Sequence, residues 1–222
     1  VDDRTMLAAE YHSNSDIKLK KLPIPEIGRN EILVKMSACG ICGTDVMEWY
    51  RKKKGPRVLG HEMSGIVVQA GANVSSVEVG DNVFVSHHVP CFDCYYCNNN
   101  KFSACETLHK GNFDPGGFAE YIRVPSEWVV KKPEGISLSE SMALGTAGLT
   151  AGLCVRKLIN HKLTPDSGKL FVTGATGGVG IVAMMLLSKL GFEVVAITGK
   201  LDSQDMLKEY GASEVITRED LD

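Results

Sequence analysis

The segment KLFVTGATGGVG, residues 169–180, decides the fold of the second half of the chain. It opens with a short apolar run, Lys169–Thr173, which has the length and composition of a buried strand. A glycine-rich turn follows at once, and we predict an apolar helix over Ile181–Leu190 and a second strand over Glu193–Thr198. Strand, turn, helix and strand in this order predict the mononucleotide-binding half of a doubly wound parallel α/β sheet.

Glycines recur in this turn with the spacing G-x-x-G-x-x-G, at Gly174, Gly177 and Gly180. Because glycine has no side chain, the backbone at the N-terminus of the helix can approach a pyrophosphate closely. We therefore predict a dinucleotide-binding loop with contacts from Gly174, Gly177, Gly178, Val179 and Gly180. A tight structural turn that binds no ligand is the alternative interpretation.

The end of the second predicted strand bears on the choice between NAD(H) and NADP(H). A carboxylate at this position would bind the ribose 2′-hydroxyl of NAD, but the chain has Thr198 and Lys200 there and no acid before Asp202. A hydroxyl and an ammonium group suit a 2′-phosphate, so we predict NADP(H). In the alternative interpretation Lys200 is an ordinary solvated lysine. A third strand, predicted over Glu214–Thr217, completes this part of the sheet.

The first half of the chain has the alternating pattern of short β-strands. The predicted strands are Met6–Tyr11, Ile17–Lys21, Glu31–Met36, Ser64–Gln69, Asn82–Ser86, Gly117–Val124 and Trp128–Val130. Glycine and aspartate turns at this spacing predict a small β-barrel or sandwich. A helix that starts at Ser137 or Ser139 and runs to about Asn160 would join a domain of residues 1–138 to one of residues 139–222, and Glu140 lies three residues after Ser137 as a capping box requires.

Two predicted loops of the first half carry metal-binding side chains, CGICGTD at residues 39–45 and GHE at residues 60–62. Cysteine sulfur and histidine nitrogen are preferred zinc ligands, and a catalytic zinc site has about three protein ligands and one open position. A thiolate and an imidazole from these loops, each followed by a carboxylate, could begin such a site. A third ligand must then come from elsewhere in the chain.

A second cysteine cluster follows, and its members are Cys91, Cys94, Cys97 and Cys105. This spacing places four thiolates around one tetrahedral zinc ion and leaves no position for a substrate. The loop has little core of its own, so metal binding would supply its folding energy. Chance cysteines or two disulfides are the alternatives, but an odd total of 7 cysteines and no export signal favour a metal.

Composition narrows the class of protein further. The chain has 222 residues, 44% hydrophobic and 23% charged, which suits one large or two small globular domains. A net charge of −3 gives no indication of a nucleic-acid or membrane partner, and the only basic cluster, at residues 51–54, is interpreted as a solvated loop rather than an anion site. With no signal peptide and no apolar stretch of about 20 residues, we predict a cytoplasmic protein.

Taken together, these motifs resemble the medium-chain dehydrogenase/reductase superfamily. Residues 1–138 look like its zinc-dependent alcohol, polyol and threonine dehydrogenases, which implies a GroES-like β-barrel catalytic domain followed by a Rossmann domain. The matching motifs are CGTD at residues 42–45, GHExxG at residues 60–65, the four-cysteine lobe and residues 117–121. The resemblance also implies a small-molecule alcohol or carbonyl substrate and, for a full-length parent of this chain, a dimer or tetramer.

The resemblance assigns a role to each matching residue of the catalytic site. Cys42 and His61 match catalytic zinc ligands, whereas Cys39 matches a position that is not a ligand. Thr44 matches the hydroxyl that relays the substrate proton, and Asp45 matches a carboxylate that orients the zinc-bound histidine. The neighbour of His61, Glu62, matches the acid that can bind the metal directly or through water.

Residues 142–222 look like a different branch, the zinc-free, NADPH-using quinone oxidoreductases and acryloyl-CoA reductases. In the superfamily as a whole, Thr150 matches a residue that faces the nicotinamide. Zinc-dependent members have a cysteine or glutamate as third ligand where this chain has Thr146, and threonine is a poor zinc ligand. The chain is therefore interpreted as a natural hybrid or as a chimera joined near Ser137–Met142, with a weak catalytic zinc site and a firm structural one.

The family completes a six-stranded sheet, whereas this chain has three predicted strands after residue 138, so a fragment or a shortened form is expected. The leading prediction is a zinc-dependent oxidoreductase that transfers a hydride between NADP(H) and an alcohol, a polyol or its carbonyl. Two alternatives remain open. One is a zinc-independent NADPH-dependent quinone or enone reductase, and the other is a non-catalytic fragment that binds zinc and nucleotide.

Overall fold

The computed structural model describes residues 4–51, 55–87, 90–108 and 114–221. Its internal contacts divide it into two compact units, Val1–Thr146 and Ala147–Asp222. Each unit corresponds to one of the two kinds of secondary-structure pattern in the sequence, antiparallel β first and alternating α/β second.

The first unit is built on antiparallel strands. They are β1 (Thr5–Ser13), β2 (Asp16–Pro23), β3 (Glu31–Gly40), β4 (Arg57–Val58), β5 (Glu62–Ala70), β6 (Asn82–Val85), β7 (Tyr121–Pro125) and β8 (Val129–Lys131). One sheet has the order β2-β1-β4 and the other the order β7-β3-β5-β6-β8. The prediction of short, turn-linked antiparallel strands in this half is confirmed.

The core of this unit lies on one face of the five-stranded sheet. Alternate residues of its strands point inward, as a half-buried sheet requires. The fully buried members are Ile32, Val34, Met63, Val67, Val83, Val85, Ile122 and Val124. At Gly65 the backbone of β5 lies close against β3, because an added Cβ there would overlap the carbonyl oxygen of Lys35. The last glycine of GHExxG therefore allows the two strands that carry the candidate site to pair.

The first unit also contains short helices, which are α1 (Glu48–Arg51), α2 (Tyr95–Asn98) and α3 (Leu138–Ser141). The predicted capping box is confirmed, because Ser137 Oγ accepts the Glu140 N–H at 3.1 Å and a Glu140 carboxylate oxygen accepts the Ser137 N–H at 2.7 Å. The prediction of one helix from Ser137 to Asn160 is wrong. The chain leaves α3 through a 3₁₀ turn, Met142–Leu144, and a new helix starts after it.

The cause of this break is packing within the first unit. An added Cβ at Gly145 would overlap the carbonyl oxygen of Val85, so the backbone here lies directly against the end of β6. The hydroxyl of Thr146 then donates to the carbonyl of His61 at 3.0 Å. These contacts hold residues up to Thr146 in the first unit, whereas sequence reasoning placed the boundary after residue 138.

The second unit alternates helices and strands. Its elements are α4 (Ala147–Asn160), β9 (Leu170–Thr173), α5 (Gly178–Lys189), β10 (Val194–Ile197), α6 (Gln204–Glu209) and β11 (Glu214–Ile216). The strands form a parallel sheet of order β11-β10-β9, so the predicted partial Rossmann sheet is confirmed. Among the described residues no single helix is long and apolar enough to cross a membrane, although α3 with its 3₁₀ turn and α4 would pass together by length and composition.

Candidate active site

The pairing of β3 with β5 brings the two predicted metal-binding loops together. Gly40, the last residue of β3, is the register partner of Glu62, the first residue of β5. Cys42 therefore lies two residues beyond one strand end, and His61 lies immediately before the adjacent strand start. Gly60 makes this approach sterically feasible, because its φ of 99° is left-handed and an added Cβ would lie 2.8 Å from the Cys39 sulfur.

Three of the predicted site residues form one cluster of potential metal ligands. The ligand atoms of Cys42, His61 and Glu62 all lie within 4.8 Å of one another. Glu62 lies over the backbone of Gly40, where an added Cβ would come within 3.1 Å of its carboxylate oxygen. One sulfur, one nitrogen and one oxygen donor are thus held close together, a set that zinc accepts.

Asp45 links the backbone of Cys42 to the ring of His61. One carboxylate oxygen accepts the Cys42 N–H at 3.0 Å, and the other lies 3.5 Å from Nδ1 of His61. Burial alone would raise the pKa of Asp45, but the hydrogen bonds from His61 and Cys42 and the charge of Arg51 outweigh it and lower the pKa. With Nδ1 turned to Asp45, Nε2 of His61 is the atom that faces Thr44, whose hydroxyl lies 3.5 Å away.

Arg51 belongs to this site, and its assignment to a solvated basic loop is wrong. Its side chain is only 11% exposed. The guanidinium donates to the Thr44 carbonyl at 2.7 Å, to the Thr44 hydroxyl at 3.2 Å and to a carboxylate oxygen of Asp45 at 2.9 Å. One rigid donor fork therefore fixes the turn that carries Thr44 and Asp45. The rest of the basic run, residues 52–54, lies outside the described residues.

We expect Arg51→Met to destabilise the first unit by about 3 kcal/mol, because a largely buried carboxylate loses its cationic partner. Arg51→Lys keeps the charge but cannot make all three hydrogen bonds of the guanidinium. It should therefore be more stable than Arg51→Met but less stable than the parent chain. Urea unfolding of both variants measures this. Arg29→Met, at an exposed position, is the matched control and should unfold like the parent; equal stability of all three variants would contradict the assignment.

Cys39 does not belong to the ligand cluster, as the resemblance implied. Its thiol is directed at the carbonyl of Gly40 at 3.8 Å and packs against the core of the first unit. Burial raises the pKa of Cys39 to about 12, and the negative charges of Asp45 and Glu62 act in the same direction. A thiol that stays protonated is a poor metal ligand.

The four-cysteine lobe has the spacing of a tetrahedral metal site. The Sγ atoms of Cys91 and Cys97 are 3.9 Å apart, those of Cys94 and Cys97 are 3.6 Å apart, and those of Cys91 and Cys105 are 3.6 Å apart. Thiolates bound to one zinc ion at about 2.3 Å lie about 3.8 Å from each other. These distances fit a zinc ion and are far longer than a disulfide bond.

Backbone N–H groups point at the sulfur atoms of the lobe and stabilise thiolates there. Cys91 N–H donates to the Cys105 sulfur and Cys94 N–H donates to the Cys91 sulfur, both at 3.3 Å. The Thr107 hydroxyl and the Cys91 N–H lower the pKa of Cys105 to about 6, whereas burial raises the pKa of Cys97 to about 12. Such outer contacts are what metal-binding thiolates require.

Sequence reasoning missed one residue beside the candidate site, His87. Its ring centroid lies 4.6 Å from that of His61 with an interplanar angle of 53°, and its Nδ1 lies 3.3 Å from the hydroxyl of Thr146. The sequence feature that could have pointed to this residue is a histidine directly after the predicted strand that precedes the cysteine lobe. Its contacts span 26 and 59 residues, however, and such long-range contacts do not appear in a local pattern.

The glycine-rich loop of the second unit connects β9 to α5 as predicted. Gly177 is the N-cap residue of α5, and its N–H donates to the Gly174 carbonyl at 2.9 Å. Gly180 is buried, and an added Cβ there would overlap the carbonyl oxygen of Gly174. Gly178 has space, since an added Cβ would meet nothing nearer than the Ala147 side chain at 3.6 Å.

Because Gly180 has no room for a Cβ and Gly178 has, substitutions at these two glycines can test folding and nucleotide binding separately. We expect Gly180→Ala to lower the free energy of unfolding by about 2 kcal/mol, because the turn must move. Gly178→Ala should fold normally but bind a dinucleotide more weakly if the pyrophosphate lies against this turn. Thermal melting and calorimetry with NADPH measure the two effects. Gly152→Ala in α4, where an added Cβ meets nothing within 4 Å, should change neither.

The remaining predicted cofactor residues lie at separate places in the second unit. Thr198 directly follows β10, is only 5% exposed, and its hydroxyl accepts the Lys200 N–H at 3.0 Å. It therefore shapes the turn that leaves Lys200 exposed. Thr150 lies in the first turn of α4 and is exposed; its contact with a nicotinamide stays a prediction.

Comparison with known proteins then identifies the family. The profile of the alcohol dehydrogenase GroES-like domain matches residues 28–134, which contain Cys42, His61 and the cysteine lobe. The chain belongs to the medium-chain dehydrogenase/reductase superfamily. As a member of this superfamily, it has a GroES-like first unit and a partial Rossmann second unit.

Two relatives of this chain have the names of a quinone oxidoreductase and an acrylyl-CoA reductase. YhfP of Bacillus subtilis strain 168, whose name describes a quinone oxidoreductase, is 34% identical over 226 residues, which cover 96% of this chain and 60% of the relative. The acrylyl-CoA reductase AcuI of Ruegeria pomeroyi is 44% identical over 106 residues, which cover 48% of this chain and 32% of the relative.

A solved structure is similar over nearly the whole chain. The cobalt- and zinc-bound thermostable alcohol dehydrogenase of Pyrobaculum aerophilum matches with a TM-score of 0.82 and 30% identity. The match covers 96% of this chain and 66% of that one. This chain thus spans about 60% of the length of YhfP and about two thirds of this structure.

Proposed function

We propose that this chain provides the catalytic domain and part of the nucleotide-binding domain of a zinc-dependent oxidoreductase. The reaction is hydride transfer between NADP(H) and an alcohol, a polyol or the corresponding carbonyl compound. The single observation that carries the proposal is the cluster of Cys42, His61 and Glu62, whose ligand atoms lie within 4.8 Å of one another. The positions of Asp45 and Thr44 around that cluster support the proposal.

The donor set fits a zinc ion. Cys42, His61 and Glu62 would hold it, and His61 would use Nε2 because Nδ1 faces the carboxylate of Asp45 at 3.5 Å. This arrangement of carboxylate, imidazole and metal fixes the ring orientation and strengthens the ligand. A bound zinc ion supplies Lewis acidity toward the substrate oxygen, and the nicotinamide supplies the hydride acceptor or donor.

Thr44 is the group that exchanges a proton with the substrate. Its hydroxyl accepts a hydrogen bond from Arg51 at 3.2 Å, so its own proton points away from the guanidinium. When an alcohol donates its proton to Thr44 Oγ1, the hydroxyl passes its own proton onward to solvent. The positively charged guanidinium of Arg51 keeps Thr44 in position and disfavours a second positive charge on the Thr44 hydroxyl.

NADP(H) is proposed over NAD(H) because Lys200 is exposed after β10 and no carboxylate occupies that turn. Thr198 supports this arrangement by holding the turn with its hydroxyl. Calorimetry should show tighter binding of NADPH than of NADH. Lys200→Ala should weaken only NADPH binding, while Lys208→Ala, an exposed lysine of α6, should leave both affinities unchanged.

The deciding experiment is a zinc count combined with an activity test. The expected result is two zinc ions per chain and NADP⁺ reduction with an alcohol or polyol, lost in Cys42→Ala. Because the chain spans only part of its relatives, the same test on a form extended to their length separates a missing domain from a missing activity. One zinc per chain, held by the lobe alone, with no alcohol oxidation in either form would refute the proposal.

The second candidate function is NADPH-dependent reduction of a quinone or enone without zinc. The observation that favours it is Thr146, whose hydroxyl donates to the His61 carbonyl at 3.0 Å. The names of the relatives YhfP and AcuI point the same way. Enone-dependent NADPH oxidation that survives removal of the Cys42 metal would support it, and micromolar NADPH binding with no turnover would favour a non-catalytic fragment.

A further inference from the structure

The region around Thr146 contains an imidazole that the proposed zinc site does not use. His87 follows β6, the strand next to β5 in the same sheet, so its backbone lies beside the strand that begins after His61. The two ring centroids lie 4.6 Å apart, and the ring planes are tilted by 53°. A second imidazole is thus held next to a candidate metal ligand by the fold of the first unit alone.

The hydrogen bonds of Thr146 determine which nitrogen of His87 carries the proton. The Thr146 hydroxyl has one proton, and it donates this proton to the His61 carbonyl at 3.0 Å, which can only accept. The contact of 3.3 Å between the same hydroxyl and His87 Nδ1 is then a bond that Nδ1–H donates. In the neutral ring of His87, Nε2 therefore has the lone pair.

His87 and His61 are consequently oriented in the same way. In each ring Nδ1 faces an oxygen of the protein, Asp45 at 3.5 Å for His61 and Thr146 at 3.3 Å for His87. Metal-binding histidines almost always donate their second ring nitrogen to such an oxygen, which fixes the tautomer and the ring plane. The pattern leaves Nε2 as the coordinating atom of both residues.

The distance between the rings agrees with a shared ion. Two imidazoles bound to one tetrahedral zinc with Zn–N distances of about 2 Å have ring centres about 5 Å apart. The observed separation of 4.6 Å is close to this value. His87 is not among the three residues whose ligand atoms lie within 4.8 Å of one another, so metal binding requires its side chain to move toward Cys42 and His61.

We propose that His87 is the third firm protein ligand of the metal held by Cys42 and His61, and that Thr146 orients it. This inference rests on the proposed metal-dependent function and gives the site one sulfur and two nitrogen ligands. Thr146 then acts through His87, which makes it a positioning residue in place of a ligand. The carboxylate of Glu62 shares the fourth position with the substrate oxygen, which keeps the open position that a catalytic metal needs.

The test replaces the metal of this site with Co²⁺ and records its visible and X-ray absorption spectra, with zinc retained in the lobe. We expect a thiolate-to-cobalt band from Cys42 and two nitrogen ligands in the parent chain. His87→Ala should reduce the nitrogen count to one and weaken cobalt binding by more than the roughly 10–100-fold that loss of an orienting partner costs. Thr146→Val should keep both nitrogens but lower the affinity within that range.

His161→Ala is the matched control, because His161 is exposed, and it should reproduce the parent spectrum. One nitrogen ligand in the parent chain, or an unchanged spectrum and affinity in His87→Ala, overturns the inference while the metal site itself stands. The nitrogen count of the parent decides the matter even if the His87 variant fails to fold. Absence of any cobalt at Cys42 refutes both this inference and the zinc-dependent function.

Discussion

Cys105→Ser is expected to remove one zinc ion per chain and to unfold the lobe around residues 91–105. The cysteines themselves are the core of this segment, because its buried residues, among those the structure describes, are Cys97 and Cys105, each 5% exposed. Its aromatic side chains lie at the surface, with Phe92 57% exposed and Tyr95 67% exposed. Without a metal the lobe has too little buried apolar area to offset its chain entropy.

The size of this effect follows from the coupling of metal binding to folding. Structural zinc contributes apparent binding free energies of about 10–16 kcal/mol in zinc-finger peptides at neutral pH. Loss of one thiolate should remove most of that local stability, since serine is a poor zinc ligand. We expect elemental analysis to show one zinc fewer per chain and limited proteolysis to cut the variant within the lobe.

Cys154→Ser is the matched control, because Cys154 is an exposed cysteine of α4 in the other unit. It should keep the zinc content and protease resistance of the parent. The second unit should also melt normally in Cys105→Ser, since the loss is confined to the lobe. If Cys105→Ser keeps its full zinc content and stays uncut, the lobe does not depend on a four-thiolate metal site.

Local sequence patterns predicted those features whose physical causes are themselves local. The four lobe cysteines lie within 15 residues, so their spacing alone already indicates a four-thiolate metal site. The glycine-rich turn was predictable because Gly180 has no room for a side chain, and the capping box because Ser137 and Glu140 are three residues apart. The strands followed from alternation of apolar and polar residues.

Specific side-chain and backbone contacts, which no repeating sequence pattern encodes, produced the features that were not predicted. Arg51 lies in a basic run, which by composition is typical of a solvated loop, yet its side chain is only 11% exposed and donates hydrogen bonds to Thr44 and Asp45. The contact between His87 and Thr146 joins residues 59 positions apart. The break before α4 depends on the close approach of Gly145 to Val85. Helical periodicity alone gives no indication of any of these contacts.

Asp45→Asn is expected to damage metal binding and folding together. Asp45 is 4% exposed and accepts hydrogen bonds from the Cys42 N–H and from Arg51, with His61 Nδ1 at 3.5 Å. An amide has the same shape, but its NH₂ group would face a donor, and the charge of Arg51 would lose its partner. We expect a 10–100-fold loss of metal affinity at Cys42 and His61 and about 3 kcal/mol of stability.

A double-mutant cycle separates the ion pair from the orientation of His61. The double variant Asp45→Asn with Arg51→Met no longer has an unpaired cation. Its loss of unfolding free energy should therefore be smaller than the sum of the two single losses, by about 1–3 kcal/mol. Metal affinity should stay low, because His61 still lacks its carboxylate. Strict additivity in urea unfolding would mean that Asp45 and Arg51 act independently.

Asp81→Asn is the control for removing a carboxylate of the same unit. Asp81 pairs with Lys131 at 2.7 Å, but the lysine is 53% exposed, so solvent screens the pair and its loss should matter little. Its metal affinity should equal that of the parent. If Asp45→Asn also binds Co²⁺ or Zn²⁺ like the parent, Asp45 stabilises the loop alone and His61 is oriented by other contacts. If metal binding is weakened in Asp45→Asn but not in Asp81→Asn, the buried carboxylate of Asp45 supports the metal site.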